Sequence, residues 1–292
     1  MVMRTFLIFF AFLLFYFSTL LPSYAAFEEK AAGARPMGMA GAFTGIADDV
    51  NAIYWNPAGL RVVEKLEAMG MTTRLFGLKE LTYYLFGAMV PTKKIGAFGL
   101  SHSQFGCSEY KEIETIFSSG QSLGTGVYFG FNVKILSIKI KGASTSSEYG
   151  SASAFGLDVG ALADIGSKFR LGVMAVNLNS PRLGTCSEDL AQMIRVGVSF
   201  RLLSGYTTSL DLLLPMSSIM AEPEIRAGFE AIIGRNLTLR AGVENEPARF
   251  TGGLGFQWNI FGFDYAFLSH PFLNSQHQFS FTLHLGKRTL QN

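Results

Sequence analysis

Three histidines, His270, His277 and His284, recur at intervals of seven near the C-terminus. Metal binding is the chemistry such a set could perform, because imidazole nitrogens are common ligands. On a strand, however, a step of seven places consecutive residues on opposite faces, and His270 falls in an expected loop. Ser280 and His284 share a face and could pair as nucleophile and base. Four residues along a strand hold them about 13 Å apart, beyond a direct hydrogen bond. Gly38, Gly41 and Gly45 are not followed by Lys-Ser or Lys-Thr, and no strand precedes them in the mature chain, as a phosphate loop requires. No catalytic role, metal or cofactor is therefore expected.

The remaining reactive residues are cysteines and charges. Cys107 and Cys186 are the only cysteines. Both fall in expected external loops, in a compartment where disulfides form, so they are a candidate pair whose separation the spacing leaves open. Asp158, Arg195, Asp211, Arg226, Glu230, Arg240, Glu244 and Asp264 each sit on the polar phase of an alternating segment. They mix both signs. Buried charges need partners, so they read as a salt-bridged interior, or alternatively as a gate or a site for an anionic head group.

The elements that must position these residues begin with the N-terminus. Arg4 precedes an apolar run from Phe6 to Leu21, then Pro22-Ser23-Tyr24-Ala25. A short apolar core with small residues before the scissile bond marks a secretory signal peptide, cleaved after Ala25. No later run is long enough for a transmembrane helix, yet 49% of residues are hydrophobic and only 16% charged. A membrane protein without spanning helices must close its backbone hydrogen bonds in a barrel. A net charge of +2 gives no basic field for nucleic acid.

The strand pattern supports the barrel. Leu237, Leu239, Ala241 and Val243 oppose Thr238, Arg240, Gly242 and Glu244. Phe250, Leu254, Phe256 and Trp258 oppose Thr251, Gly253, Gly255 and Gln257. Phe279, Phe281, Leu283 and Leu285 oppose Gln278, Ser280, Thr282 and His284. A bulky apolar face without charge, against a face of small and polar residues, suits lipid outside and a polar lumen inside. The expected fold is an all-β transmembrane antiparallel barrel of about fourteen strands over residues 64–286. Short turns are expected at Ser119-Gly120, Ser204-Gly205 and Gly234-Arg235, and longer loops at 141–150, 180–190, 215–222 and 270–275. The segment 121–140 loses its alternating phase near Leu136, which predicts a bulge there. Residues 287–292 form a tail.

Between signal and barrel, residues 26–63 are rich in small side chains and too few to build a core of their own. Their expected place is inside the barrel, as a plug. Asn56-Pro57-Ala58 occurs once, whereas helical water channels need two copies at helix ends; Pro57 reads as a fixed turn and Gly59 as steric relief beside it. Phe43, Ile46, Ile53, Tyr54, Trp55, Asn56 and Pro57 are the candidate contacts between this segment and a ligand or the wall.

Gly33-Ala34-Arg35, Met37-Gly38-Met39-Ala40-Gly41-Ala42-Phe43, Ala47-Asp48-Asp49 and Tyr54-Trp55-Asn56-Pro57-Ala58-Gly59-Leu60 resemble the hatch segment of FadL-type outer-membrane channels. Leu239-Arg240-Ala241-Gly242, Gly253-Leu254-Gly255-Phe256, Asp264-Tyr265-Ala266 and His277-Gln278-Phe279-Ser280 resemble the PorV/PorQ branch of that superfamily. The resemblance implies a fourteen-stranded outer-membrane barrel plugged by its N-terminal hatch. It implies passive transport or binding of hydrophobic small molecules, with membrane lipid as surroundings. For the PorV/PorQ branch it implies instead a part in type IX secretion, with secreted proteins or secretion components as partners, or a structural role. The chain departs from both groups in being short.

Overall fold

In the computed structural model the residues described are 26–27, 32–92, 94–142, 148–184, 188–216 and 222–286. The expected signal peptide, the tail 287–292 and Cys186 lie outside them, and with Cys186 the expected cysteine pair. Sixteen strands follow in order: β1 (Leu66–Arg74), β2 (Thr82–Pro91), β3 (Ala97–Gly106), β4 (Tyr110–Gly124), β5 (Val127–Lys141), β6 (Glu148–Ile165), β7 (Phe169–Val176), β8 (Arg182–Leu183), β9 (Glu188–Asp189), β10 (Met193–Leu203), β11 (Tyr206–Pro215), β12 (Glu224–Ile233), β13 (Leu237–Asn245), β14 (Ala248–Trp258), β15 (Phe261–Leu268) and β16 (Gln276–Leu285).

Fourteen of these close into an antiparallel barrel, each paired with its neighbours in sequence, and β8 and β9 form a separate ribbon in the β7–β10 connection. Closure comes from β1 against β16, where Met69 lies opposite Thr282 and Met71 opposite Ser280. No sheet edge is left along the wall. Among the described residues no helix is long and apolar enough to cross a membrane. The outward positions Leu239, Leu254, Phe256, Phe263, Phe279 and Phe281 are exposed, whereas the intervening Arg240, Thr251, Gln278, Ser280 and Thr282 are buried. Apolar groups outside and polar groups inside are what a bilayer requires of a barrel. The period of two therefore fixes the facing of these strands.

One rim carries the tight turns, including Thr125-Gly126 and Ser204-Gly205, with Gly126 and Gly205 at φ of +74° and +85°. A left-handed residue suits a two-residue hairpin turn because the turn twist then matches the strands. The other rim carries most of the longer connections, although Glu246-Pro247 there joins β13 to β14 in two residues.

Two expectations on β4 and β5 are corrected. Ser119-Gly120 is not a turn; both residues lie within β4, opposite Phe131 and Gly130 of β5. A Cβ on Gly120 would stand 2.8 Å from the Pro57 carbonyl oxygen. The glycine is needed for close approach of an interior segment, not for chain reversal. Nor does a bulge occur at Leu136. The register shifts instead between Ser122 and Gly124, and between Ile140 and Lys141. Leu136 keeps phase and points inward, fully buried.

Residues 32–63 run through the lumen. They form two single-turn helices, α1 (Ala34–Met37) and α2 (Ala52–Trp55), and a 3-10 stretch (Pro57–Val62). Ala34, Met39, Phe43, Ala47, Ala52, Trp55, Ala58 and Leu60 are all but inaccessible to solvent. Glycines meet across this contact: a Cβ on Gly38 would lie 3.1 Å from Gly253 Cα, and one on Gly45 would lie 3.0 Å from the Gly197 carbonyl. Main chain packs on main chain where neither side carries a side chain.

The lipid face generates a direct test. Leu254 lies near the middle of β14 and points outward. Leu254→Arg should cost about 2–4 kcal/mol of barrel stability in vesicles, read from urea-dependent unfolding. A loss within about 0.5 kcal/mol, the ordinary surface value, would contradict this facing.

Candidate functional site

The interior divides into a charged half and an apolar half. In the charged half, Arg35 of α1 is bonded on three sides. Its Nη1 donates to Asp48 and Asp49, each at 2.8 Å, and its Nη2 and Nε donate to Glu230 at 2.9 and 3.0 Å. Glu230 also accepts from Arg240 Nε at 2.7 Å, and Arg240 Nη1 donates to Asp264 at 2.7 Å. The chain of charges thus runs from the luminal segment into β12, β13 and β15. Burial pushes the Asp49 carboxyl up to about 6, against the pull of Arg35; the Glu67 and Asp48 charges add to the rise. These groups border a polar vestibule of about 420 Å³ at the tight-turn rim.

Other wall side chains grip the main chain of the luminal segment. Asp211 Oδ2 accepts from the Phe43 and Thr44 amides at 3.1 and 2.8 Å. Ser280 Oγ accepts from Ala34 N at 2.8 Å, and Glu67 from Val50 N at 2.9 Å. Asn132 Nδ2 donates to the Ile53 carbonyl at 2.9 Å, and Ser199 Oγ to that of Gly45 at 2.9 Å. An irregular segment cannot pair all its own backbone groups, and each one left unpaired in a dry interior is costly. The polar lumen phase supplies the partners.

The eight charges singled out in the sequence all face inward; Asp211 holds the Phe43 and Thr44 amides, and the other seven fall in three groups. Glu230, Arg240 and Asp264 belong to the Arg35 network. Arg226 Nε reaches Glu224 at 2.5 Å and Glu244 at 3.9 Å, and Glu244 also pairs with Arg249. Arg195 and Arg226 lie over the Trp55 ring, 5.2 and 6.0 Å from its centroid, a cation–π arrangement. Asp158 belongs to the apolar half, where Lys134 Nζ approaches it to 2.7 Å.

That half holds a cavity of about 70 Å³, toward the long-loop rim. Tyr83, Ile116, Leu136 and Met174 supply buried apolar walls from β2, β4, β5 and β7, and Tyr54 and Phe27 close it from within. Its polar margin is the Lys134–Asp158 pair, with Glu112, Glu114, Asn177 and Arg195. Phe27 N donates to Glu112 Oε2 at 3.2 Å.

Of the seven candidate contact residues, only Tyr54 lines this cavity. Trp55 is buried beneath the two arginines and donates from Nε1 to the Ala32 carbonyl at 2.8 Å. Asn56 accepts from Ala58 N at 3.2 Å and donates to the Thr44 and Ala161 carbonyls at 3.1 Å, so it pins the segment. Phe43, Ile46 and Ile53 pack as core, and Pro57 lies over Gly130 and Gly160.

Sequence reasoning missed Lys134, Ile116, Leu136 and Met174. The available signal was the loss of alternation on β5. Leu136 and Ile138 are apolar residues on the lumen phase, and they mark an apolar patch inside the barrel rather than a bulge. The histidines do not converge: His277 meets the Tyr265 hydroxyl at 2.7 Å on the outer face, His284 meets Glu67 at 2.9 Å inside, and His270 accepts from loop amides of Phe272 and Leu273. Cys107 is half-buried in the β3–β4 connection.

No protein-family model matches the chain, and no curated protein sequence matches it. Solved structures do match in fold. The toluene transporter TbuX of Ralstonia pickettii is 13% identical, with a TM-score of 0.63, covering 87% of this chain and 98% of that one. The monoaromatic hydrocarbon channel CymD is 13% identical, with a TM-score of 0.66, covering 90% and 100%. A Pseudomonas aeruginosa FadL homologue is 11% identical, with a TM-score of 0.62, covering 88% and 99%. At these identities the likeness is one of fold.

The charge network carries its own test. Arg35→Ala leaves Asp48, Asp49 and Glu230 without their shared cation, and removing one partner from a buried pair costs about 3–5 kcal/mol. The expected result is a barrel that still forms but releases residues 33–60 to protease well before the wild type. Equal protection of the two proteins would mean that the network does not hold the segment.

Proposed function

We propose that this barrel is an outer-membrane channel that binds and passes hydrophobic small molecules, with residues 32–63 as its hatch and the cavity behind Tyr54 as its ligand site. The observation that carries the reading is a cavity inside the lumen whose walls are the apolar faces of Tyr83, Ile116, Leu136 and Met174. A hydrophobic ligand needs such a pocket, with few polar groups to fix its orientation. The likeness in fold to monoaromatic hydrocarbon and toluene channels supports the same reading, while fold alone does not assign function. The neighbours are transport proteins, which favours a non-enzymatic role.

Size narrows the proposal. The cavity of about 70 Å³ is smaller than the roughly 150 Å³ that accommodates a benzene ring in an engineered protein core. A monoaromatic ligand therefore enters only as Phe27 or Tyr54 moves aside.

Equilibrium binding of radiolabelled toluene and of a long-chain fatty acid to the purified barrel, followed by uptake into proteoliposomes, tests this. Phe27→Ala should strengthen toluene binding severalfold by opening the cavity. Leu136→Trp should abolish it by filling the same space, leaving the heat-modifiable barrel band intact. If neither compound binds or crosses, and secreted proteins co-purify with the barrel instead, the hydrophobic-ligand reading is wrong and the PorV/PorQ-like secretion role takes its place.

A further inference from the structure

The outer wall of β3–β6 changes character toward the long-loop rim. Leu100, Phe117 and Val133 lie side by side in one row. The next row pairs His102 with Thr115, their side chains 3.0 Å apart. The row above sets Ser137 against Ser153, with hydroxyls at 2.9 Å. One row further out, Lys111 stands directly opposite Lys139. Lys141 follows two residues on, on the same face.

Like charges placed directly opposite on antiparallel strands repel. None of the three lysines is ion-paired with a described carboxylate. Glu109 and Glu148 flank the cluster on the loop side. Glu109 accepts from the Ser108 hydroxyl at 2.6 Å, and Glu148 is opposite Lys141 in register. Between the lysines is a dent of about 220 Å³, lined by Gln104, Ser108, Lys111, Ile113, Lys139 and Lys141.

We propose that this dent binds the phosphate of a membrane-lipid headgroup. Its height fits. On strands tilted by about 40°, Lys139 stands roughly 10 Å above the lipid-facing Ile135. Val127, the apolar residue that opens the same strand at the other rim, lies roughly 20 Å further down, so Lys139 stands about one hydrocarbon-core thickness of 30 Å from that end of the apolar wall. Lysines act as flexible point charges toward phosphate, and a phosphomonoester carries nearly two negative charges. One such group neutralises the Lys111–Lys139 repulsion, and the Gln104 amide adds a donor. Ile113, Ile135 and the Leu100–Phe117–Val133 row further down then receive the acyl chains of the same molecule, which a free phosphate would leave uncovered. The inference is independent of what passes through the lumen.

Native mass spectrometry of the full-length barrel in neutral detergent tests it. The probes are lipid A bearing both phosphates, the same lipid with its phosphates removed, and inorganic phosphate. Phosphorylated lipid should bind at least tenfold more tightly than the dephosphorylated form, and binding should weaken as salt is raised. Millimolar inorganic phosphate should not displace it. Lys111→Gln/Lys139→Gln/Lys141→Gln should lower affinity at least tenfold, whereas Lys94→Gln/Lys168→Gln on the opposite rim should not. The single variant Lys139→Gln, expected to lose about threefold, serves if the triple variant does not assemble. Equal binding of the dephosphorylated lipid, unchanged affinity in the lysine variants, or displacement by inorganic phosphate would each overturn the assignment.

Discussion

The structure depends on one constraint: within lipid, every backbone amide and carbonyl must find its partner inside the protein. Each group left unpaired in hydrocarbon costs several kcal/mol, so a sheet that crosses the bilayer cannot keep an edge. Pairing β1 with β16 removes it. Closure with fourteen strands has a second consequence. A barrel of about eight strands can fill its interior with its own side chains, and a wider one cannot. Residues 32–63 occupy that extra space, and the glycines of the wall let their main chain approach it.

Filling the lumen with irregular chain transfers the hydrogen-bonding requirement inward. The inward positions answer it with carboxylates, amides and hydroxyls aimed at main-chain groups, Asp211 at two successive amides and Asn132 and Ser199 at carbonyls. Arg35 brings a full charge into the interior, and Glu230 and Arg240 extend its network to the wall. Removing any one of these cations would strand several acids, because the network holds Arg35 and Arg240 against Asp48, Asp49, Glu230 and Asp264. Burial is the main cause of the upward shift of Asp49, and the Glu67 and Asp48 charges add to it.

The inward phase is not polar throughout: Met69, Met71, Leu85, Met89 and Leu162 pack with the luminal segment, and a further apolar group borders the cavity. Ile116, Leu136 and Met174 on the lumen phase cannot satisfy a main-chain group, and they leave space that is partly covered by Tyr54 and Phe27. The segment is thus tied firmly on the side of Arg35 and covers an apolar pocket on the other. This asymmetry, together with a fold shared with hydrocarbon channels, is the basis of the functional reading.

The sequence by itself determined the wall. An alternation of aromatic and small polar residues repeats wherever a strand has lipid on one side and lumen on the other, so the facing of β12–β16 and most strand boundaries were legible residue by residue. Tertiary structure alone decided what happens inside. Ser119-Gly120 has the composition of a turn, but only the approach of Pro57 from a distant part of the chain makes it a packing site. Leu136 breaks a local pattern, but only its neighbours on β2, β4 and β7 make it a cavity wall. Trp55 has the chemistry of a ligand contact, yet Arg195 and Arg226 from two other strands bury it. Facing is set by a period of two within one strand, whereas a cavity, an ion network and a covered ring are set by residues that barrel closure brings together from far apart in the chain.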